Sequence, residues 1–300
     1  MKIPSKVYPY RLPYMGSKQN IAYSLMLATI QKKPKAKYFF DIFGGGAAMS
    51  LMAAQFGLKV FYTEKNAGIV NLLNFLKDNK IPKEWIRWIT RDEFKKCLGK
   101  DDPFSVFVTV CWSFGNNRQA YLFGKDIEEL KRLAFEIIVN QDEKCLNKLK
   151  EITGLKLRMP KEKGLHARRL NFSRQIKKVK GLQRSIECLV NMQCLTQLEC
   201  CSRLQQLEYL QQLELPYDEV IIYCDPPYRN TAEYTDKGFN PKEFDEWVKK
   251  LKYDVFISEY DTPFEKIASF GKLALLNNNS ETKKMVQENL YYHKGSLGYG

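Results

Sequence analysis

A short apolar run that leads into three consecutive glycines constrains the fold of this chain most strongly. The run is Phe39-Phe40-Asp41-Ile42-Phe43-Gly44-Gly45-Gly46, and a helical pattern follows it from Ala47 to Phe56. This order predicts a strand, a glycine-rich turn and a helix, a unit typical of α/β sheets. Glycines in such a turn permit positive φ angles and let the backbone approach a ligand closely. The spacing matches neither GxGxxG nor a P-loop, so a tight turn without a ligand stays an alternative.

A second predicted strand follows that helix and ends in an acid. Its sequence is Val60-Phe61-Tyr62-Thr63-Glu64. An acid at this position binds ribose hydroxyls in nucleotide-type sites. Taken alone, Glu64 is better explained as a solvated acid at a strand end, because such acids are common.

The tetrapeptide Asp225-Pro226-Pro227-Tyr228 follows a third apolar run, residues 220–224. The exocyclic amino group of a base is a poor nucleophile, because its lone pair is delocalised into the ring. A carboxylate and a backbone carbonyl that accept its two N–H bonds would localise that lone pair, and the two prolines make the turn stiff. Tyr228 can stack on the base, a contact worth roughly 1–3 kcal/mol. The alternative is an ordinary strand-to-turn junction.

The spacing of these motifs predicts an inserted domain. The first motifs end near residue 66, whereas the tetrapeptide begins at Asp225, far more residues than an alternating α/β core needs between adjacent strands. We predict a core formed by residues 1–80 and 195–300 and an inserted, mostly helical domain at 81–194. Residues 125–150 have the pattern of a charged helix pair, while the periodicity of 104–114 leaves helix and strand both open. A helix is also predicted from Pro241 to Leu251, with Asn240 as its N-cap.

Positive charge is concentrated in one segment of the predicted insertion. Residues 156–184 hold eleven Lys or Arg and one acid, Glu162, and so carry +10 of the net charge of +14. Such a cluster suits the phosphate backbone of a nucleic acid, although a solvated surface loop is the alternative. Upstream, Gly115-Asn116-Asn117-Arg118-Gln119 is a polar turn whose amide and guanidinium side chains can read base edges, or simply cap a core element.

Composition argues against several other classes of protein. No stretch of 18 or more apolar residues is present, so we expect no membrane span, and residues 1–13 lack the apolar region of a signal peptide. Eight cysteines are scattered without a CxxC pair, and only two histidines occur. We therefore expect free thiols in the cytoplasm and no metal site.

Taken in order, these motifs resemble those of the Dam-like (D12 class) DNA adenine-N6 methyltransferases. Glu64 stands where that family usually has an aspartate. The matching segments are Tyr14-Met15-Gly16-Ser17-Lys18, Asp41–Gly46, Glu64-Lys65-Asn66, Asp225–Tyr228, Val255–Asp261 and Lys283–Tyr291.

The resemblance implies a Rossmann-like class I methyltransferase core with an inserted, mostly helical target-recognition domain. It implies S-adenosyl-L-methionine as the cofactor and double-stranded DNA as the partner, with the target adenine flipped out of the duplex. No metal is required, and a monomer or weak dimer is expected in a prokaryotic or viral setting. The alternatives are an N4-cytosine or RNA-directed amino methyltransferase, or an inactive DNA-binding protein.

The resemblance also assigns site residues. The catalytic set is Asp225, Pro226, Pro227 and Tyr228. The cofactor-binding set is Tyr14, Lys18, Asp41, Phe43, Gly44, Gly45, Gly46, Glu64, Tyr209 and Asp225. The predicted DNA-binding residues, which combine the resemblance with the basic segment, are Asn116, Asn117, Arg118, Arg168, Arg169, Arg174, Lys177, Lys178, Tyr234, Lys283 and Lys284.

Overall fold

The computed structural model describes residues 3–4, 12–14, 16–179, 215–229, 239–274 and 284–296. The described chain divides into two compact units. The first holds residues 3–4 and 17–66 and all described residues from 215 onward. The second holds residues 12–14, 16 and 67–179, a segment that interrupts the first unit in sequence.

Six strands of the first unit form one sheet. The strands are β1 Tyr38–Asp41, β2 Lys59–Tyr62, β3 Val220–Cys224, β4 Val255–Glu259, β5 Glu265–Ala274 and β6 Lys284–His293. Their order across the sheet is β2-β1-β3-β4-β6-β5. The first four strands in this order are parallel, β6 is antiparallel to β4, and β5 is antiparallel to β6. The sheet is therefore mostly parallel and compatible with the predicted Rossmann-like core.

The described helices are distributed over both units. In chain order they are α1 Ala22–Lys32, α2 Ala48–Gln55, α3 Ala67–Asp78, α4 Arg91–Cys97, α5 Pro103–Cys111, α6 Lys125–Asn140, α7 Glu143–Thr153, α8 Leu165–Lys177 and α9 Pro241–Lys249. Of these, α1, α2 and α9 belong to the first unit and α3 to α8 to the second. None of the described helices is long and apolar enough to cross a membrane.

Both faces of the sheet are buried, which explains why its central strands are almost wholly apolar. Alternate residues point to opposite faces. On one face, Ile221 and Tyr223 of β3 pack with apolar side chains of α1 and α2. On the other, Ile222 of β3 packs with Phe244 and Val248 of α9.

A buried ion pair joins two elements at the amino-terminal edge of the sheet. Lys33 follows α1, Asp254 precedes β4, and their charged atoms lie 2.8 Å apart with side chains only 7% and 3% exposed. The Asp254 carboxylate also accepts hydrogen bonds from the Tyr217 hydroxyl and from the backbone N–H of Gly295. The ion pair and these two hydrogen bonds hold four chain segments together.

The second unit is helical throughout its longer elements. Residues 104–114, for which periodicity left helix and strand open, form most of α5 and the turn after it. Asp102 caps that helix by accepting a hydrogen bond from the Ser105 N–H at 2.9 Å. The predicted helix pair at 125–150 corresponds to α6 and α7. Helix α3, which the predicted boundary at residue 80 places with the core, groups with this unit. The role of the inserted segment in target recognition stays a prediction.

Candidate active site

The carboxyl ends of β1 and β3 meet where the order of the sheet changes direction. From β1 the chain passes through α2 to β2 on one side, whereas β3 and β4 lie on the other side. The loop after β1 is tied to both neighbours, since the N–H of Ile42 donates to Tyr223 and that of Gly44 donates to Thr63. Ligands of open α/β sheets bind in the crevice at such a switch point.

The glycine loop is shaped by contacts within the protein. A Cβ atom on Gly44 would overlap the ring of Tyr62, whose hydroxyl donates to the Gly45 carbonyl at 2.7 Å. Gly45 itself has a φ of 48°. Glycines in this turn were predicted to let a ligand come close to the backbone. At Gly44 the Tyr62 ring occupies that space. Gly46 is buried.

Glu64 braces the same loop. One of its carboxylate oxygens accepts a hydrogen bond from the Gly45 N–H at 2.8 Å and the other accepts from the Asn66 N–H at 2.9 Å. Phe43 packs edge-on against the rings of Phe239 and Phe244. These contacts give Glu64 and Phe43 structural roles, and their contact with a cofactor stays a prediction.

Asp41 is a buried carboxylate at the end of β1. Its Oδ2 accepts hydrogen bonds from the Ser50 N–H at 3.1 Å and the Ser50 hydroxyl at 2.6 Å. Its Oδ1 is buried without a hydrogen-bond partner in the described part of the chain. Burial raises the pKa of Asp41 to about 7, against the two hydrogen bonds from Ser50, and the nearby Asp225 and Glu64 carboxylates add to the rise. The group can therefore take up a proton or a hydrogen-bond donor near neutral pH.

Asp225 forms a short ion pair with Lys18. The Lys18 Nζ lies 2.6 Å and 2.7 Å from the two carboxylate oxygens, although the residues are 207 positions apart in sequence. The Lys18 side chain is 3% exposed and that of Asp225 is 20% exposed. Burial lowers the pKa of Lys18, but the Asp225 and Glu288 carboxylates outweigh burial and hold that pKa above its ordinary value. Lys18 is thus a permanent cation beside the predicted catalytic carboxylate.

Tyr228 is held on several sides. The Lys18 Nζ lies over its ring, 4.7 Å from the centroid, and the Tyr260 ring meets it edge-on at 4.5 Å. Its hydroxyl donates to Glu288, and burial together with the Asp225 and Glu288 carboxylates raises the pKa of that hydroxyl. Tyr228 is a neutral aromatic group in a fixed orientation, and its stacking on a base stays a prediction.

Arg229, the residue after the tetrapeptide, makes a second ionic contact. Arg229 pairs with Asp245 of α9, and its N–H donates to Glu259 at the end of β4 at 2.7 Å. Sequence reasoning missed both Glu259 and Glu288. Glu259 ends a mostly apolar strand, where a carboxylate is buried only when it has partners, so a signal for it was present. Glu288 lies among polar and apolar residues of β6 and carries no such signal.

In the second unit, the predicted polar turn has unusual backbone geometry. Gly115, Asn116 and Arg118 have φ angles of 62°, 58° and 58°. The Asn117 side-chain oxygen accepts hydrogen bonds from two backbone N–H groups of the same turn, those of Gln119 and Ala120. Phe114 is 53% exposed beside them. Asn117 therefore maintains the turn, while its neighbours form its partly exposed surface.

The basic segment carries a row of exposed cations at the end of α8. Arg174, Lys177 and Lys178 at the end of α8 are exposed at helical spacing, and we call them the α8 stripe. Arg168 differs, since its guanidinium donates to the Val139 carbonyl of α6 at 3.0 Å. Arg169 lies 3.3 Å from the His166 ring. Three of the five predicted phosphate-binding residues of this segment thus face solvent.

The remaining predicted site residues lie in other parts of the chain. Tyr209, Tyr234 and Lys283 lie outside the described residues, and Lys284 begins β6. Tyr14 is half-buried and belongs to the second unit, whereas Lys18 belongs to the first.

Within the described part of the chain, no cluster of His, Cys, Asp and Glu side chains is suited to hold a metal ion. A scan against models of protein families finds no match to the chain, and a search of curated proteins finds no similar sequence. The functional assignment therefore depends on the site itself.

Proposed function

We propose that this protein is an S-adenosylmethionine-dependent DNA methyltransferase that acts on N6 of adenine. The observation that carries the proposal is the position of the Asp225 turn. Its carboxylate follows the end of β3, next to the glycine loop after β1, at the switch point of the sheet. An amino-group acceptor and a nucleotide-type loop at one crevice suit transfer to an exocyclic amine.

The residues of the glycine loop are compatible with the cofactor. The buried Oδ1 of Asp41 has no partner among the described residues and would accept a hydrogen bond from a ligand. Glu64 and the backbone of Gly44–Gly46 would complete the contact surface. The cofactor, when bound, supplies an electrophilic methyl group on a sulfonium.

The chain's own residues would orient the target base. The Asp225 carboxylate and the Pro226 carbonyl accept hydrogen bonds from the amino group, which directs its lone pair to the methyl group. Tyr228 is fixed by Glu288 and Tyr260 and would hold the plane of the base. Because an amino group inside a duplex is inaccessible, the target base must leave the stack.

We assign binding of the DNA backbone to the second unit. The α8 stripe is exposed, and the exposed Lys156 and Arg158 alternate with the buried Leu155 and Leu157. This alternation places apolar groups inward and cations outward along one segment. A solvent-facing row of cations is the electrostatic feature that phosphate binding requires.

The test is methyl transfer to unmethylated mixed-sequence DNA from methyl-labelled S-adenosylmethionine, followed by identification of the labelled nucleoside. N6-methyladenine from the wild type, and its absence from Asp225→Ala, would support the assignment. Asp218→Ala is the matched control, since Asp218 pairs with Lys35 at the exposed surface. Label in N4-methylcytosine or RNA would redirect the assignment to those substrates. DNA binding without any label would favour a binding protein.

A further inference from the structure

One buried cation faces two carboxylates in the candidate site. The Lys18 Nζ is 2.6 Å from Asp225 and 3.6 Å from Oε1 of Glu288. The Lys18 side chain is 3% exposed and that of Glu288 is fully buried. The shorter distance shows that Lys18 is bound to Asp225 here, while Glu288 lies just beyond hydrogen-bond range.

Among the described residues, only one of the two carboxylate oxygens of Glu288 has hydrogen-bond partners. Its Oε1 accepts from the Tyr228 hydroxyl and from the Ser258 hydroxyl at 3.3 Å. Its Oε2 is buried without a hydrogen-bond partner among the described residues. A buried carboxylate oxygen without a donor is unfavourable and rare in native proteins. This oxygen therefore points to a donor that arrives in another state of the site.

We propose that Lys18 is a two-position cation, which rests on Asp225 and moves to Glu288 when an amino group takes its place on Asp225. The inference depends on the proposed function, because it names the amino group of the substrate as the competitor. A movement of about 1 Å, which the flexible four-carbon stem of lysine allows, brings the Lys18 Nζ within hydrogen-bond range of Oε1 of Glu288. The adjoining Oε2 is then an open acceptor for another N–H of the same ammonium. Glu288 is then a positioning residue that acts through Lys18.

Movement of Lys18 to Glu288 would give this cation a carboxylate partner while the substrate amino group occupies Asp225. Both oxygens of Asp225 accept from Lys18, so an incoming amino group meets an ammonium that already holds this carboxylate. Displacement of that ammonium would take its short ion pair from a buried charge, which is strongly unfavourable unless another carboxylate replaces Asp225. Glu288 supplies the replacement partner and no covalent bond or proton is exchanged.

The first test uses thermal unfolding without a ligand. Asp225→Asn and Glu288→Gln each leave Lys18 one carboxylate, whereas the double variant leaves it none. We expect the double variant to lose about 6 °C or more beyond the sum of the single losses in Tm. Additive losses would overturn the proposal. Ser258→Ala, which removes another contact of Glu288 but no charge, is the matched control and should be additive with Asp225→Asn.

A third substitution keeps the test decisive if the double variant does not fold. Lys18→Met removes the cation, so its addition to the double variant should restore folding and most of the lost Tm. Failure to restore folding would show that the two carboxylates act independently of Lys18.

The second test connects the exchange to the reaction. In methyl transfer to mixed-sequence DNA, Glu288→Gln is expected to lower kcat about tenfold or more, because Lys18 then stays on Asp225. An unchanged kcat would refute a role in the reaction. If the wild type transfers no methyl group, the proposed function fails, and the unfolding test still decides whether Glu288 is the second partner of Lys18.

Discussion

Replacement of Asp41 by asparagine should change how stability depends on pH. The side chain is 1% exposed, and burial raises its folded-state pKa to about 7 from an ordinary value of 3.8. Because the folded pKa is the higher one, the folded state binds more protons than the unfolded state between these values. Stability from Asp41 is fully present below pH 3.8 and is lost as the pH rises to about 7.

The magnitude follows from linkage. For these two pKa values, the free energy of unfolding contributed by Asp41 falls by about 2.5 kcal/mol between pH 5 and pH 8. The substituted asparagine does not titrate, and its side-chain oxygen still accepts a hydrogen bond from Ser50. The amide nitrogen takes the place of Oδ1, which has no partner among the described residues. The variant should therefore gain stability relative to the wild type as the pH rises.

Urea unfolding of both proteins at pH 5, 6, 7 and 8 measures this difference. Other titrating groups are common to the two proteins and cancel in the comparison. The m-values should be equal, so that the midpoints report stability alone. A constant difference between wild type and Asp41→Asn across this range would refute the raised pKa and, with it, the uncompensated burial of Oδ1.

Three further changes test other parts of the structure. Gly44→Ala should cost about 1–3 kcal/mol of unfolding free energy in urea, because its Cβ would overlap Tyr62; an unchanged midpoint would show that the loop relaxes freely. Lys33→Met should cost about 3–5 kcal/mol by leaving Asp254 buried without its cation, and a loss below about 1 kcal/mol would show that water reaches the pair. Replacement of the α8 stripe by three glutamines should reduce the slope of log Kd against log salt for DNA by about 2–3, measured by fluorescence anisotropy; an unchanged slope would place phosphate binding elsewhere.

Local patterns predicted much of the fold. The three predicted strands became β1, β2 and β3. Strand β3 is apolar along its length because both of its faces are covered. Helix α9 begins at Pro241, as Asn240 followed by proline predicted, and ends at Lys249, two residues before the predicted end. Periodicity did not decide between helix and strand for residues 104–114, since α5 is buried on nearly all sides and carries no polar stripe.

The site could be predicted only in part. The tetrapeptide and the glycine loop follow from local residue types, and the parallel strands bring them to one edge. The partner of Asp225 did not follow, because no local rule pairs a lysine with a carboxylate 207 residues away. Glu288 was not predicted, because β6 mixes polar and apolar residues and no local pattern marks this carboxylate as buried. Arg168 was predicted to bind DNA from the basic segment, and its hydrogen bond to the Val139 carbonyl of α6 did not follow, because composition does not encode helix packing.

The pairing of β1 with a strand far along the chain has a consequence for synthesis of the protein. Strand β3 pairs with β1, but Val220 follows Asp41 by 179 residues. At ribosomal rates of about 5–20 residues per second, the edge of β1 that will face β3 stays unpaired for about 9–36 s. An unpaired apolar strand edge is a template for wrong association. The helical second unit is made during that interval, and we expect the open edge of β1 to favour wrong association until β3 emerges.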